Sequence, residues 1–175
     1  MRSLRFALLL IAVPAMRLAA QTSPRRAVFY DLEDSTRRSG PRFGLVFLGG
    51  TIPDTATALT QRHVGTVVSF FGWEFQHRLG RNPGGPQPIT DLVVGLAGLE
   101  EGVALPTVSA VIGLRMPDGL EFGIGPNFSG VGPALVLTAG VTQHMGTINV
   151  PVDVAVVPSA LGTRVSVTTG FNVMR

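Results

Sequence analysis

Charged residues stand inside several strand-length segments of this chain, each on the polar side of an alternating apolar–polar pattern. Seven residues have this placement: Glu74, Arg78, Asp91, Arg115, Glu121, Asp153 and Arg164. Successive side chains of a strand point to opposite faces of a sheet, so all seven are expected on one face. A buried charge without a partner costs several kcal/mol, so carboxylates and arginines enclosed on that face must pair. The pattern therefore predicts a network of ion pairs.

Residues suited to catalysis or metal binding are few. There is no cysteine, and the three histidines are scattered along the chain: His63, His77 and His144. Ser69 is the one candidate nucleophile, and it lies on the apolar side of its segment. The only histidine expected near an acidic residue at the outer rim is His63, beside Asp54. Three separated histidines without thiolates do not make a metal site. The sequence therefore predicts no enzyme, no metal site and no cofactor.

Strands are the elements that would position the charged residues. From Arg42 onward, apolar runs alternate with turn signals at intervals of roughly 12 to 15 residues. Only 54–62 could form a turn of helix, and links such as "MPDGL" (116–120) join neighbours antiparallel. The prediction is an all-β protein, an antiparallel up-and-down barrel of eight strands at about 42–50, 66–79, 88–99, 103–116, 120–129, 134–145, 147–157 and 163–174.

The segment "INVPVDVAVV" (148–157) raises the question of which face lies inside. Its five branched apolar residues share one face, and Asp153 lies on the other. In a soluble barrel the valines would be buried; in a membrane barrel they would face lipid, and Asp153 would face the lumen. Polar faces rich in glycine and serine make a poor water-exposed surface, whereas a narrow lumen needs small neighbours beside Arg115 and Glu121. The pattern favours the membrane barrel.

The N-terminal residues indicate export. Arg2 and Arg5 precede the short apolar run "FALLLIAV", and "LAAQ" offers cleavage after Ala20. This order is typical of a secretory signal peptide, and an uncleaved anchor is the alternative. The predicted organisation is a signal peptide at 1–20, a polar lead-in at 21–41 and a barrel domain at 42–175.

Charge and composition exclude other classes of function. All 14 basic residues are arginines, against 11 acidic residues. Removal of the signal takes away three arginines and leaves a balanced chain, so nucleic-acid binding loses its compositional support. The chain is 45% hydrophobic and 14% charged. That charged fraction is below the roughly 25% of soluble domains, and no later apolar run approaches the ~18 residues of a spanning helix.

Several segments resemble small eight-stranded outer-membrane β-barrels of the type of outer-membrane proteins A and X. "GTRVSVTTGFNVMR" (162–175) resembles the C-terminal strand that the barrel-assembly machinery recognises, with the matching positions Thr168, Gly170, Phe171 and Val173. "SFFGWEFQHRL" and "GLRMPDGLEFGIGPNFS" are similar to uncharacterised bacterial envelope proteins. The resemblance covers roughly 42–174. It implies a location in the outer membrane, with outer-membrane lipid and the assembly machinery as partners, and no assigned activity.

Two classes of function follow from these observations. The first is a non-catalytic, monomeric outer-membrane barrel with a salt-bridged lumen, acting in envelope integrity or in surface interactions through loops 51–65, 100–102, 129–133 and 158–162. A gated path for small ions is a second interpretation of its lumen charges, although eight strands are too few for an open pore. The other class is a soluble, periplasmic, lipocalin-like barrel that binds an apolar small molecule.

Overall fold

The computed structural model describes residues 37–80, 82, 84–145 and 148–174. The predicted signal peptide and nearly all of the lead-in lie outside these residues. The described elements, in chain order, are β1 (Arg37–Leu48), α1 (Ile52–Thr60), β2 (Val67–Arg78), β3 (Gln87–Ala97), a short 3-10 helix (Leu99–Glu101), β4 (Leu105–Arg115), β5 (Leu120–Ser129), β6 (Gly132–Met145), β7 (Ile148–Ser159), β8 (Gly162–Gly170) and β9 (Asn172–Met174). Strands β8 and β9 are separated only at Phe171 and keep one register with both neighbours, so they act as one strand.

The sheet closes on itself because β1 pairs antiparallel with both β2 and β8. Strands between them pair with their neighbours in the chain. The register offset of the barrel is found by following paired residues once around the sheet. The path starts at Arg37 of β1 and returns to β1 at Phe47, so the offset is ten residues. It passes through His77, Thr90, Ile112, Ile124, Leu137, Val156 and Val165. The predicted all-β, eight-stranded, antiparallel up-and-down barrel is therefore confirmed.

The number of strands and the register offset together fix the dimensions of the barrel. With a rise of about 3.3 Å per residue and about 4.8 Å between strands, the strands tilt by about 40° and the backbone radius is about 8 Å. A strand of 12 residues, such as β1, then covers about 30 Å along the axis. Inside so narrow a cylinder, each inward side chain is within reach of several other strands.

The two faces of the sheet differ sharply in chemistry. In "INVPVDVAVV", Val152 and Val154 point outward and are 44% and 38% exposed, whereas Asn149 is fully buried. The same alternation holds around the barrel, and large apolar side chains cover the outside. Every charged side chain that the structure describes within the strands lies on the inward face: Arg38, Arg42, Glu74, Arg78, Asp91, Arg115, Glu121, Asp153 and Arg164.

Most predicted strand boundaries lie within two residues of those in the structure, and two segments differ more substantially. The first strand begins at Arg37 rather than at 42, because residues 37–41 pair with 73–77 of β2. The polar segment "RRSGP" has no apolar alternation, so periodicity does not reveal it as a strand. The segment 54–62 was expected to contain one turn of helix, and the structure extends that turn into the nine-residue α1.

The connections divide the barrel into two ends. The helix end carries the connections that follow β1, β3, β5 and β7, which are 49–66, 98–104, 130–131 and 160–161. The terminal end carries the start of β1 and the end of β9. The predicted turn "MPDGL" is at the terminal end, where Met116 and Leu120 are joined by a backbone hydrogen bond of 2.7 Å and Gly119 adopts a φ of 87°. Glycine suits this left-handed conformation.

Helix α1 covers the interior at the helix end. Pro53 occupies the first turn, where its fixed φ and missing N–H are tolerated. Ile52 and Ala56 are one turn apart and fully buried, so they form the face that packs on the lumen. The Thr51 hydroxyl donates to the Leu161 carbonyl at 3.1 Å and fixes the start of the helix to the β7–β8 turn. Among the described residues, no helix has the length and apolar character needed to cross a membrane.

An aromatic ring packs on two glycines inside the barrel. Gly72 and Gly95 face each other on β2 and β3, and Phe70 is buried beside them. A Cβ at Gly95 would lie 2.5 Å from Phe70 Cε2 and 2.8 Å from the Phe71 carbonyl oxygen. The glycines therefore provide the space that the Phe70 ring occupies, as in aromatic packing over sheet glycines elsewhere.

Replacing Gly95 with alanine should lower the free energy of unfolding by about 1–3 kcal/mol, because the added methyl group overlaps the Phe70 ring and the Phe71 carbonyl. Denaturant unfolding of the refolded protein, followed by Trp73 fluorescence, measures this change. Gly130→Ala is the matched control, since nothing lies within 4 Å of a Cβ at Gly130. Equal stability of the two variants would contradict the packing of Phe70 on Gly95.

Candidate functional site

A cluster around Arg42 joins the strands that lie on either side of β1. Arg42 is only 2% exposed, and its Nε donates to Glu74 Oε2 at 2.7 Å. Asp153 Oδ2 lies 3.7 Å from the same nitrogen, and Nη1 donates to Asn172 Oδ1 at 3.0 Å. One guanidinium therefore connects β1 with β2, β7 and β9.

A second cluster is centred on Glu121. Its carboxylate accepts hydrogen bonds from Arg115 Nε at 2.9 Å, from Gln76 Nε2 at 2.9 Å and from the Thr142 hydroxyl at 2.7 Å. Arg115 Nη2 also donates to the Gln76 carbonyl oxygen. Because Gln76 and Glu74 are both inward residues of β2, the two clusters are adjacent. Together they fill the lumen from its middle towards the terminal end.

The structure places the predicted charged residues as follows. Glu74 and Asp153 pair with Arg42, whereas Arg115 pairs with Glu121. Asp91 lies directly opposite Gln76 in the β2–β3 pairing, so it borders both clusters. Arg78 is the last residue of β2 and lies at the terminal end.

Arg164 differs from the prediction that it pairs with a lumen carboxylate. It lies opposite Leu48 in the β1–β8 pairing, near the helix end. Its Nη1 donates to Ser129 Oγ at 2.5 Å and its Nη2 to Asn127 Oδ1 at 2.7 Å. Within the described part of the chain, no carboxylate lies within 4.0 Å of it. The inward carboxylates lie further down the barrel, which is why they do not reach it.

The prediction missed Arg42, although the signal was present in the sequence. In "RFGLVFL" the residues alternate as elsewhere: Arg42 and Val46 point inward, and Phe43 and Leu45 point outward. The alternation that places Glu74 on the inward face also places Arg42 there. Gln76, Asn127 and Asn172 are uncharged polar residues, and nothing in their spacing distinguishes them from other polar positions in strands.

The predicted assembly-signal residues lie in β8, β9 and the residue between them. Thr168 faces the lumen and Phe171 points outward, 45% exposed. A Cβ at Gly170 would lie 2.0 Å from the Pro41 carbonyl oxygen and 2.8 Å from Arg42 Nη1, so this glycine leaves room for the β1 backbone and for the guanidinium. The Val173 backbone pairs with Ser39, and the Val173 side chain lies outside the described part of the structure. Recognition by assembly machinery stays a prediction.

The candidate catalytic residues are not brought together. His63 and His77 are exposed, and among the described residues no hydrogen bond or ion pair joins His63 to Asp54. The side chain of His144 lies outside the described part. The hydroxyl of Ser69 donates to the Glu100 carboxylate instead of to a histidine. No group of three histidine or acidic residues in the described ranges is arranged to hold a metal ion.

At the helix end, the Glu100 carboxylate accepts hydrogen bonds from Ser69 at the start of β2. Desolvation acts to raise its pKa, but the hydrogen bonds from the Ser69 hydroxyl and backbone N–H outweigh this effect. The pKa of Glu100 is therefore lower than its ordinary value. This contact attaches the 3-10 helix to the start of β2 and so fixes the position of the β3–β4 loop.

Apolar side chains fill the other half of the lumen. The cluster consists of Val46, Leu48, Ile52, Ala56, Val64, Val68, Phe70, Ala97 and Val103. A cavity of about 160 Å³ remains between this cluster and the charged residues. It is lined on one side by the apolar cluster and on the others by Arg42, Asp91 and Arg164, among other residues.

Comparisons with protein-family models, with curated proteins and with solved structures find no match to this chain. The class of protein that the structure defines is a closed, eight-stranded antiparallel β-barrel with a charged and hydrogen-bonded interior. Its resemblance to small outer-membrane proteins stays a prediction.

Replacing Arg42 with methionine should lower the free energy of unfolding by about 3–5 kcal/mol, because Glu74 and Asp153 lose their cation in an enclosed lumen. Adding Glu74→Gln should recover part of the loss. Denaturant unfolding of the unchanged protein, of Arg42→Met and of the Arg42→Met/Glu74→Gln double variant measures both effects. Arg62→Met, at an exposed loop position, is the control and should change stability by less than ~0.5 kcal/mol. Equal stability of Arg42→Met and Arg62→Met would contradict the central role of Arg42.

Proposed function

We propose that the chain is a transmembrane protein of the bacterial outer membrane, exported by the signal peptide at 1–20, and that its filled barrel has a non-catalytic, structural role in the cell envelope. One observation carries the proposal. All nine charged side chains that are described within the strands face inward, and the outward face carries mainly apolar side chains.

The energetics of the two faces support this proposal. A lipid-facing arginine at the bilayer midplane costs about 2–4 kcal/mol, so a membrane barrel excludes charge from that face. A soluble monomer rarely exposes a contiguous apolar patch of more than a few hundred Å². Here large apolar side chains such as Phe71, Ile124 and Val154 continue around all strands. Exposure of this apolar surface to lipid costs less free energy than its exposure to water, which favours the membrane barrel.

The dimensions of the barrel also agree with a bilayer. An axial length of about 30 Å and a tilt of about 40° match the hydrocarbon thickness and the strand tilt of outer-membrane barrels. Polar outward residues, including Ser39, His77 and Thr163, lie towards the strand ends. They would meet the interfaces rather than the hydrocarbon.

A structural role, rather than transport, follows from the state of the lumen. The ion pairs around Arg42 and Glu121 fill one half, and α1 with its apolar cluster covers the other. The connections 130–131 and 160–161 contain only two residues each, so they offer little surface for adhesion. We propose outer-membrane lipid and the barrel-assembly machinery as partners of a monomeric protein.

Cells that express the full chain should retain it in the outer-membrane fraction, and the band should change mobility on an SDS gel when the sample is boiled. A closed barrel resists SDS until heated, which is the physical reason for the shift. A band in the soluble periplasmic fraction without a shift would contradict the proposal and favour the soluble, ligand-binding barrel.

The free-energy cost of an outward charge depends on its depth in a bilayer but not in water, so it distinguishes a membrane barrel from a soluble barrel. Val154→Arg places a charge in the middle of β7 and should prevent appearance of the heat-shifted form, at a cost of about 2–4 kcal/mol. Thr163→Arg, on the same face but at the start of β8, should assemble normally because the cost near an interface is about 0–1 kcal/mol. In a water-soluble barrel both variants would fold equally well, and that result would overturn the proposal.

A further inference from the structure

Among the described residues, the buried cation Arg164 is bound only by neutral groups. It is 9% exposed and binds the Asn127 amide oxygen and the Ser129 hydroxyl. Asn127 is fixed in turn, since its Nδ2 donates to Thr107 Oγ1 at 2.9 Å and to Ser109 Oγ at 2.8 Å. The Nε of Arg164 has no hydrogen-bond partner among the described residues. A buried charge in this position is stabilised when an anion pairs with it.

The cavity in the lumen is next to this arginine. Arg164, Asn127 and Ser129 line one side, and Val46, Val68 and Phe70 line the apolar side beneath α1. Leu48 lies directly opposite Arg164 in the β1–β8 pairing, so the cation and the apolar wall meet at one level of the barrel. A volume of about 160 Å³ is close to the ~150 Å³ of a cavity that binds benzene.

We propose that the helix-end half of the lumen binds a small apolar monocarboxylate of about six to eight non-hydrogen atoms. Its carboxylate accepts hydrogen bonds from the Arg164 guanidinium, including Nε–H, and its hydrocarbon part packs on Val46, Val68 and Phe70. This site lies in the interior, so it does not depend on whether the outside of the barrel meets lipid or water.

The remaining wall of the cavity selects the charge of the ligand. Glu74, Asp91 and Asp153 line it on the side of the terminal end. A cationic ligand would be attracted by these carboxylates but repelled by Arg164. With its charge at the carboxylates, its apolar part would lie beside the Arg164 guanidinium rather than on the apolar wall. A dianion would be repelled by the same carboxylates. A single negative charge at Arg164, with an apolar remainder, satisfies both walls.

Titration of the folded full chain with hexanoate tests the proposal, with ¹⁵N-detected arginine Nε–Hε resonances as the readout. The protein is held in lipid nanodiscs, or in buffer if it proves soluble, and empty nanodiscs correct for partitioning. We expect saturable binding that shifts the Arg164 resonance. 1-Hexanol should bind at least about tenfold more weakly, because a charge-assisted hydrogen bond is lost. Hexylamine should not bind in the cavity.

Variants then locate the site. Arg164→Gln should weaken hexanoate binding at least about tenfold, whereas Arg62→Gln, an exposed arginine of the loop at the same end, should not change it. Ala56→Leu should abolish binding by filling the cavity while leaving Arg164 in place. Because the Ala56→Leu variant and the hexanol comparison do not remove Arg164, they test the proposal even if Arg164→Gln fails to fold.

Three results would overturn the inference. They are no saturable hexanoate binding, which means that the cavity holds water only; equal binding of hexanol and hexanoate; and unchanged hexanoate binding by a folded Arg164→Gln variant. Failure of outer-membrane fractionation would leave this test intact, so the two proposals fail separately.

Discussion

The ion pair between Arg42 and Glu74 is the interaction on which the interior depends. The outward face carries no described strand charge, so the described strand charges are gathered within a cylinder of about 8 Å backbone radius, where buried carboxylates need cations beside them. Arg42 is this cation for two carboxylates and also reaches Asn172 across the closure of the sheet. A Cβ at Gly170 would lie 2.0 Å from the Pro41 carbonyl oxygen and 2.8 Å from Arg42 Nη1, so the first strand leaves room only for glycine at this position. One buried arginine thus contacts groups from three other strands.

The lumen divides into two halves because ion pairs and apolar packing need different surroundings. The carboxylates Glu74, Asp91, Glu121 and Asp153 gather from the middle of the barrel to the terminal end, where arginines and amides meet them. The helix end has no carboxylate facing the interior among the described strand residues, and α1 can therefore bury apolar side chains there. Arg164 is the exception to this division, and the cavity lies beside it.

The sequence predicted the closed barrel well because alternation and turn residues are local signals. The strands and inward positions of Glu74, Arg115 and Asp153 follow from a period of two. The ion-pair partners do not, because they depend on the register summed over eight strands. Arg42 was missed within a segment whose start is polar on both faces, and Arg164 was assigned a carboxylate partner that lies at another level. Helix α1 was underestimated because tertiary burial of Ile52 and Ala56 extends it.

The position of the ion pairs couples the interior to the closure of the barrel. Arg42 belongs to the first strand, whereas Asp153 and Asn172 belong to the last two, 130 residues separating Arg42 from Asn172. Until β1 meets β8, Arg42 can reach Glu74 on the neighbouring β2 but neither Asp153 nor Asn172. Closure brings Asp153 and Asn172 to Arg42 and encloses the Arg42–Glu74 pair. The contacts of Arg42 with Asp153 and Asn172 therefore favour the closed barrel over open forms, whereas the Arg115–Glu121 pair joins neighbouring strands and does not depend on closure.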